Sequence, residues 1–419
     1  MTEKLLQYIW QFRHFNALKL TDTNGEKIEI IKPGVFNTNE GPDFLDARIK
    51  INNTEWAGNI ELHINTSDWL LHKHSSNPNY KNIILHVVWK NDRDLQLSFP
   101  TLELEPYVSN ILLNRYNDLM QNAQFIACNS QIIDVPYLHM AAWKERLLSE
   151  RLQQRSLYIT SFLNENKYHW EEVFWWMLAR NFGIRINADA FEAIAKSIPL
   201  NILAKHKNQV QQIEALLMGQ AAILDKSFTE DYPNMLRREY EFLQKKYKLQ
   251  KPHLPLYYLR MRPANFPTIR LAQLAMLVHQ SLHLFSTIRE AKDVNEVATH
   301  LNVTANDYWH YHYLPGQTVA FKKKTVGTQM IHNILINTVA PMLYAYGFYH
   351  NNRSLQDKAI RWLEQIAAEK NSITKGFTTL GIANRNAFDS QALIQLKNEY
   401  CNQKHCLNCA IGNWILKAK

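Results

Sequence analysis

The sequence predicts an α+β protein: an N-terminal mixed β-sheet module over residues 1–130, then a large all-helical region over 131–419 that ends in a cysteine cluster. Three observations predict it. Short β-branched or alternating segments are confined to about the first hundred residues. From about Pro136 onward apolar residues recur at helical spacing, and glycine is scarce, at 12 in 419 residues. Cys401, Cys406 and Cys409 crowd the last nineteen residues in a C-x4-C-x2-C pattern.

In chain order, Leu5, Leu6, Ile9 and Phe12 share a helical stripe and predict an amphipathic helix over 5–15. Strands are expected over 27–31, 46–51, 56–64, 82–89 and 95–104, the fourth from the run Ile83-Ile84-Leu85-His86-Val87-Val88-Trp89. Residues 66–81 must supply any helical crossover, and the Asn77-Pro78-Asn79 turn leaves room for little more than two helical turns. A mostly antiparallel sheet without the crossover is the alternative. Helices then follow over 142–163, 171–182, 189–197, 208–224 and 231–248. Pro252-His253-Leu254-Pro255 marks a break before a basic loop and a helix over 271–284.

At 419 residues the chain is long enough for two or three domains of ~100–200 residues each. Its start has no basic stretch leading into an apolar core, and no run approaches the ~20 apolar residues of a membrane span. The expectation is a soluble cytoplasmic protein with no membrane partner. The net charge of +9 is unevenly divided: about 12 basic and 15 acidic residues precede Asn129, leaving about 35 and 23 for the rest. A basic helical module beside an acidic sheet suits a nucleic-acid partner, because neutralised phosphates release counterions. Solvated helix faces rich in Lys and Arg are the simpler account. There is no Walker A sequence, dinucleotide glycine fingerprint or Gly-x-Ser-x-Gly elbow, which argues against ATP hydrolysis and nicotinamide chemistry.

Metal-capable side chains are dense between Gly41 and His86: Asp43, Glu61, His63, Asp68, His72, His74 and His86. Residues two apart on a strand share a face, so Glu61 and His63 point the same way, and a carboxylate on a neighbouring strand can join them at one cation. Asp43 in Gly41-Pro42-Asp43 is also ordinary turn chemistry, and His86 inside an apolar run reads as a hydrogen-bonded core histidine. His72 and His74 follow a short helical turn at 68–71 and are either ligands or solvated loop residues.

Gly41-Pro42-Asp43 followed by Glu61-Leu62-His63 resembles the pattern of the PD-(D/E)xK nuclease superfamily over about the first hundred residues, with His63 where that pattern has lysine. The resemblance implies Asp43 and Glu61 as ligands of Mg²⁺ or Mn²⁺, His63 as a ligand or as the group that positions or deprotonates water, and Glu40 as an outer ligand. Imidazole in place of lysine also opens a shift toward Mn²⁺, Zn²⁺ or Fe²⁺, or a degenerate site. End to end, the chain resembles an uncharacterised bacterial family, a domain of unknown function, through Gly41-Pro42-Asp43-Phe44, Gly58-Asn59-Ile60-Glu61-Leu62-His63, Ser67-Asp68-Trp69 and the C-terminal cysteines. That resemblance implies no activity.

Cys128 is the one remaining cysteine, and with Cys401, Cys406 and Cys409 it makes four thiols, the number that closes a Zn²⁺ site or holds an iron–sulfur cluster. His405 is the alternative fourth ligand; unliganded reduced thiols are the plain reading. The layout is similar to that of several PD-(D/E)xK helicase-nucleases, although their lone cysteine precedes the nuclease core and Cys128 follows it. Arg260, Arg262 and Arg270 border prolines ahead of a helix, and Lys322, Lys323 and Lys324 lie near Trp309, Tyr311 and Tyr313. Both groups are candidate nucleic-acid contacts, through phosphate and through base stacking. Together these features point to a metal-dependent nuclease. The alternatives are a non-catalytic nucleic-acid-binding or assembly protein with a degenerate nuclease-like fold, and a His-rich transition-metal enzyme acting on a small molecule.

Overall fold

The alternating segments of the N-terminal quarter form a six-stranded mixed sheet. The computed structural model describes residues 1–165, 169–281 and 283–417, and it divides into two units. The first is Met1–Met140 together with the chain from Lys397 onward; the second is Ala141–Leu396.

In the first unit the strands are β1 (Ile28–Lys32), β2 (Val35–Phe36), β3 (Phe44–Ile51), β4 (Thr54–Asn65), β5 (Ile83–Lys90) and β6 (Thr101–Glu103), in the order β1-β3-β4-β5-β6 with β2 also on β3. β1, β3 and β4 pair antiparallel; Asn52, at φ +50°, lets β3 and β4 close through a two-residue turn between Ile51 and Thr54. β4–β5 and β5–β6 are parallel. Parallel neighbours need a crossover, and Asn65 to Ile83 supplies it through helix α2 (Asp68–Leu71) and two 3₁₀ turns, His74–Ser76 and Pro78–Tyr80. The antiparallel alternative is thereby set aside. β5 is buried from Ile83 to Val88, as its unbroken apolar run requires of a strand covered on both faces. Helix α1 (Glu3–Gln11) starts at Thr2, whose hydroxyl accepts from Leu5 N–H, and packs Leu5, Leu6, Ile9 and Trp10 against the sheet. It stops short of the expected residue 15 because the chain turns at Arg13, φ +53°. Of the strand expected over 95–104 only β6 forms, after Pro100, which offers no N–H to continue a ladder.

Helix α3 (Asn110–Gln121) packs against the C-terminal helix Ala410–Lys417. A Cβ at Gly412 would meet the Cys406 carbonyl oxygen at 2.1 Å, so glycine is what lets this helix approach the cysteine turn.

The second unit is dominated by helices, as the 3.6-residue periodicity predicts. α4 (Tyr137–Glu165), α5 (Trp170–Phe182), α6 (Ala188–Ser197), α7 (Leu200–His206), α8 (Val210–Gln220), α9 (Asp231–Tyr247) and α10 (Pro267–Gln280) surround a core that includes Phe174, Phe182, Leu216, Leu274 and Trp309. α7 has no counterpart among the expected helices; at seven residues it is too short for a periodic signal. The buried Lys144 Nζ is paired with Asp389 Oδ1 at 2.8 Å. Among the described residues no helix is long and apolar enough to cross a membrane.

Candidate metal centre

The centre is assembled from the β4–β5 edge and the crossover between those strands. Glu61 and His63 lie on β4 and point to one side, and the parallel register sets Glu61 beside His86 of β5. α2 then reverses the chain through Lys73, at φ +55°, and returns His72 and His74 to the same place. His63, His72 and His74 each offer a ring nitrogen within 4.8 Å of the other two. His63 Nε2 is 3.1 Å from His72 Nδ1 and 3.8 Å from Glu61 Oε1. His74 Nε2 stands 3.3 Å from the same Glu61 oxygen without the alignment of a hydrogen bond, and His74 Nδ1 has no partner among the described residues.

Burial dominates the electrostatics. It pushes His63 down to about 2, helped by the charges of His86, His74 and His72, and lowers His74 to about 4 and His86 to about 3. These three imidazoles are therefore neutral at pH 7, the form that ligates a metal. A neutral, buried His63 lacks the charge that a lysine would bring to this position. Burial, then the Asp43 charge, pushes Glu61 up to about 9, and burial raises Asp43 to about 6. Two buried carboxylates with no cation nearby hold protons in this way; a bound cation reverses it.

Asp43, at the start of β3, is held by three contacts. Its N–H donates to Glu61 Oε2 at 3.0 Å, its Oδ2 accepts from Leu62 N–H at 3.1 Å, and its Oδ1 accepts from Gln7 Nε2 at 2.8 Å. Glu40 is exposed on the preceding loop and makes none of these contacts. Trp69 and Tyr80 wall the site: Tyr80 stacks on His74 with ring centroids 3.9 Å apart, and Trp69 packs on His63, His74 and His86. Sequence reasoning passed over Gln7, which lies far from the motif residues in the chain, and Tyr80, which sits between His74 and His86 but carries no metal-capable group; Trp69, in Ser67-Asp68-Trp69, was the available signal for the wall.

The four cysteines all belong to the first unit, and none is disulfide-linked. Cys406 and Cys409 bracket one 3₁₀ turn, with Cys409 N–H donating to the Cys406 carbonyl. Lys397 Nζ reaches Phe125 O at 2.6 Å and Lys404 Nζ bonds Met120 O, tying the C-terminal segment to the stretch leading to Cys128. Cys128, Cys406 and Cys409 are buried. Burial, followed by the neighbouring sulfurs, pushes the Cys128 thiol up to about 12 and Cys406 to about 11, and raises Cys401 as well. His405 Nδ1 is paired with the Glu399 carbonyl and is exposed.

Of the basic candidates, Arg260, Arg262, Lys322 and Lys323 are exposed. Arg270 and Lys324 are buried, at 8 % and 4 % exposure. Arg270, Lys322, Lys323 and Lys324 line one cavity of the second unit.

The family model described as "Protein of unknown function (DUF2851)" matches residues 3–372. The chain belongs to the DUF2851 family. No curated protein and no solved structure matches the chain.

Proposed function

We propose that this DUF2851 protein is a metal-dependent hydrolase that cleaves phosphodiester bonds of nucleic acid at a transition-metal centre held by Glu61, His63, His72 and His74. The observation that carries the reading is the convergence of three imidazoles, His63 from β4 and His72 and His74 from the crossover, two of which, His63 and His74, also approach one Glu61 oxygen. Such a donor set suits Mn²⁺, Zn²⁺ or Fe²⁺ better than Mg²⁺, which prefers oxygen ligands. An ion bound there supplies a water of lowered pKa and positive charge for phosphoryl oxygens. The protein contributes the neutral imidazoles of His63 and His74, the nearby His72 ring, a fixed Asp43 carboxylate, and the Trp69–Tyr80 wall that limits water. The phosphodiester assignment rests on the order helix, three antiparallel strands, short helical crossover, parallel strand, the arrangement that the PD-(D/E)xK resemblance implies. The imidazole-rich donor set equally favours a small-molecule metal enzyme as the second reading.

The test is cleavage of labelled single-stranded and duplex DNA and RNA with Mg²⁺, Mn²⁺, Zn²⁺ or Fe²⁺, comparing the native chain with Glu61→Gln and His63→Ala. Metal-dependent cleavage lost in both variants supports the hydrolase. Stoichiometric metal with no cleavage of any nucleic acid selects the small-molecule reading, and failure to bind metal at all removes both.

The cysteines form a second proposed metal site, structural rather than catalytic, that fastens the C-terminal segment to the region of Cys128. Anaerobic purification separates the two candidates. Iron with acid-labile sulfide and a visible thiolate-to-iron band indicates an iron–sulfur cluster, stoichiometric zinc indicates a tetrahedral Zn²⁺ site, and neither metal refutes the site.

A further inference from the structure

The second unit carries an open cavity of about 840 Å³, at the upper part of the ~300–1,000 Å³ range of ligand pockets. Its charge is lopsided. Arg270, Lys322, Lys323, Lys324 and Lys370 line it, against Glu369 as the single carboxylate, and Glu369 Oε2 is already taken by the Gln391 amide.

Two of the cations are buried without an anion. Arg270 Nη1 donates to Gln273 Oε1 at 2.9 Å and Nη2 to Asn265 Oδ1 at 2.6 Å, both neutral amides, while Nε has no partner among the described residues. Lys324 Nζ donates to the carbonyls of His310 and Lys322, and lies 4.0 Å from the Tyr313 ring centroid. Gln273 links the pair by donating to the Lys324 carbonyl at 3.2 Å. By contrast, the buried Lys144 of the same unit is matched by Asp389. Removing a cation from water is costly unless an anion and hydrogen bonds replace the lost solvent. Here the hydrogen bonds are present and the anion is not among the described residues. Burial accordingly pushes Arg270 down to about 10 and lowers Lys324.

We propose that this cavity binds a nucleoside carrying a terminal phosphate. The guanidinium of Arg270, with the N–H groups left over from its two amide contacts, offers charge-assisted hydrogen bonds to phosphate oxygens, and Lys324 adds a second positive charge in the same lining. Lys322 and Lys323, exposed at the rim, draw the anion in. Ile184, Ile269, Met330 and Ile336 provide an apolar wall for the base, and the exposed Gln329 supplies a polar group for its edge. The site is separate from the Glu61 centre and does not depend on the hydrolase reading. A free nucleotide and the 5′-phosphorylated end of a strand present the same chemistry.

Calorimetric titration of the full chain distinguishes them. The probes are the four nucleoside 5′-monophosphates, the corresponding nucleosides, inorganic phosphate, and a tetranucleotide with and without a 5′-phosphate. The expected result is that a monophosphate binds at least about tenfold more tightly than its nucleoside and than inorganic phosphate. Arg270→Gln weakens binding by about tenfold or more, the rim variant Lys322→Gln/Lys323→Gln weakens it severalfold, and Glu61→Gln leaves it unchanged. Binding of the phosphorylated tetranucleotide without the free nucleotides supports the site and assigns its source as a strand end. Equal affinity for nucleoside and nucleotide, inorganic phosphate binding as tightly as any nucleotide, or no binding of any phosphorylated probe overturns the proposal. The rim variant keeps the test decisive should Arg270→Gln fail to fold.

Discussion

His63 Nδ1 lies 2.8 Å from His86 Nε2, so the buried histidine of β5 fixes the ring of the histidine that faces the candidate centre. His86 is fully buried and its Nδ1 has no partner among the described residues, so the polar contact that it makes through Nε2 is to His63. Outer partners of this kind typically contribute ~10–100-fold to metal affinity. His86→Phe keeps the volume of the strand's packing and removes the contact. Metal titration is expected to show affinity reduced by about that factor, with Glu61, His63, His72 and His74 all retained. Unchanged affinity would remove His86 from the site.

Glu61 gives the consequence of metal removal. Its folded value is raised to about 9 from 4.5, chiefly by burial and then by Asp43, so the metal-free fold retains a proton that the unfolded chain loses. Its contribution to metal-free stability is fully present below pH 4.5 and declines as pH rises through about 9. A bound cation favours the ionised carboxylate and opposes that decline. Thermal unfolding of chelator-treated Glu61→Gln is therefore expected to match or exceed that of the chelator-treated native chain at pH 8, and the variant is expected to lose most of the rise in Tm that added Mn²⁺ or Zn²⁺ produces. A variant that unfolds well below the metal-free native chain, or one fully stabilised by metal, contradicts this account.

How much of this was legible in the sequence depends on the range over which each signal acts. The period-2 alternation in 44–51 and the apolar run 83–88 located β3 and β5, and shared facing on a strand placed Glu61 beside His63. The crossover was hard to read because α2 has four residues, too few for a helical period, and the left-handed Lys73 that aims His74 has no signature in a non-glycine residue. The sequence places Arg270 after two prolines and just ahead of the helix expected over 271–284, as a candidate phosphate contact, with nothing to mark it as buried. Pro267 instead opens α10, and its first turn buries Arg270 against Gln273 and Asn265. Such burial is decided by segments fifty or more residues away, such as 322–325, and no local pattern encodes it.

The cysteines yield a prediction that reads metal and stability together. Cys128 comes from the end of the sheet module and the other three from the C-terminal segment, so a metal binding all four closes a loop of more than two hundred and seventy residues. Cys128→Ser is expected to release the bound zinc or iron, measured by metal analysis, and to lower the Tm of the native protein by several degrees, since metal binding at such a site is folding free energy. The Lys397 and Lys404 contacts remain in the variant, so the C-terminal segment is expected to loosen rather than detach, visible as faster amide exchange over 397–417. Full metal retention in Cys128→Ser would assign the site to the C-terminal trio.

Glu214 supplies a pH dependence away from either proposed metal site. It is fully buried on α8, accepts from Tyr232 Oη at 2.6 Å and from Trp309 Nε1 at 3.1 Å, and burial pushes it up to about 7 from 4.5 despite those donors. The folded chain therefore holds a proton that the unfolded chain has released between those values. Stability from this group is complete below pH 4.5 and is lost as pH rises through about 7, a change of roughly 3 kcal/mol. Above that range both states are ionised and the dependence flattens. Glu214→Gln cannot ionise, so it removes the dependence. Urea unfolding of the native chain and the variant at pH 5 and pH 8 is expected to show the native chain losing more stability across that interval. Parallel behaviour of the two would mean that Glu214 is ionised in the fold throughout, held so by Tyr232 and Trp309.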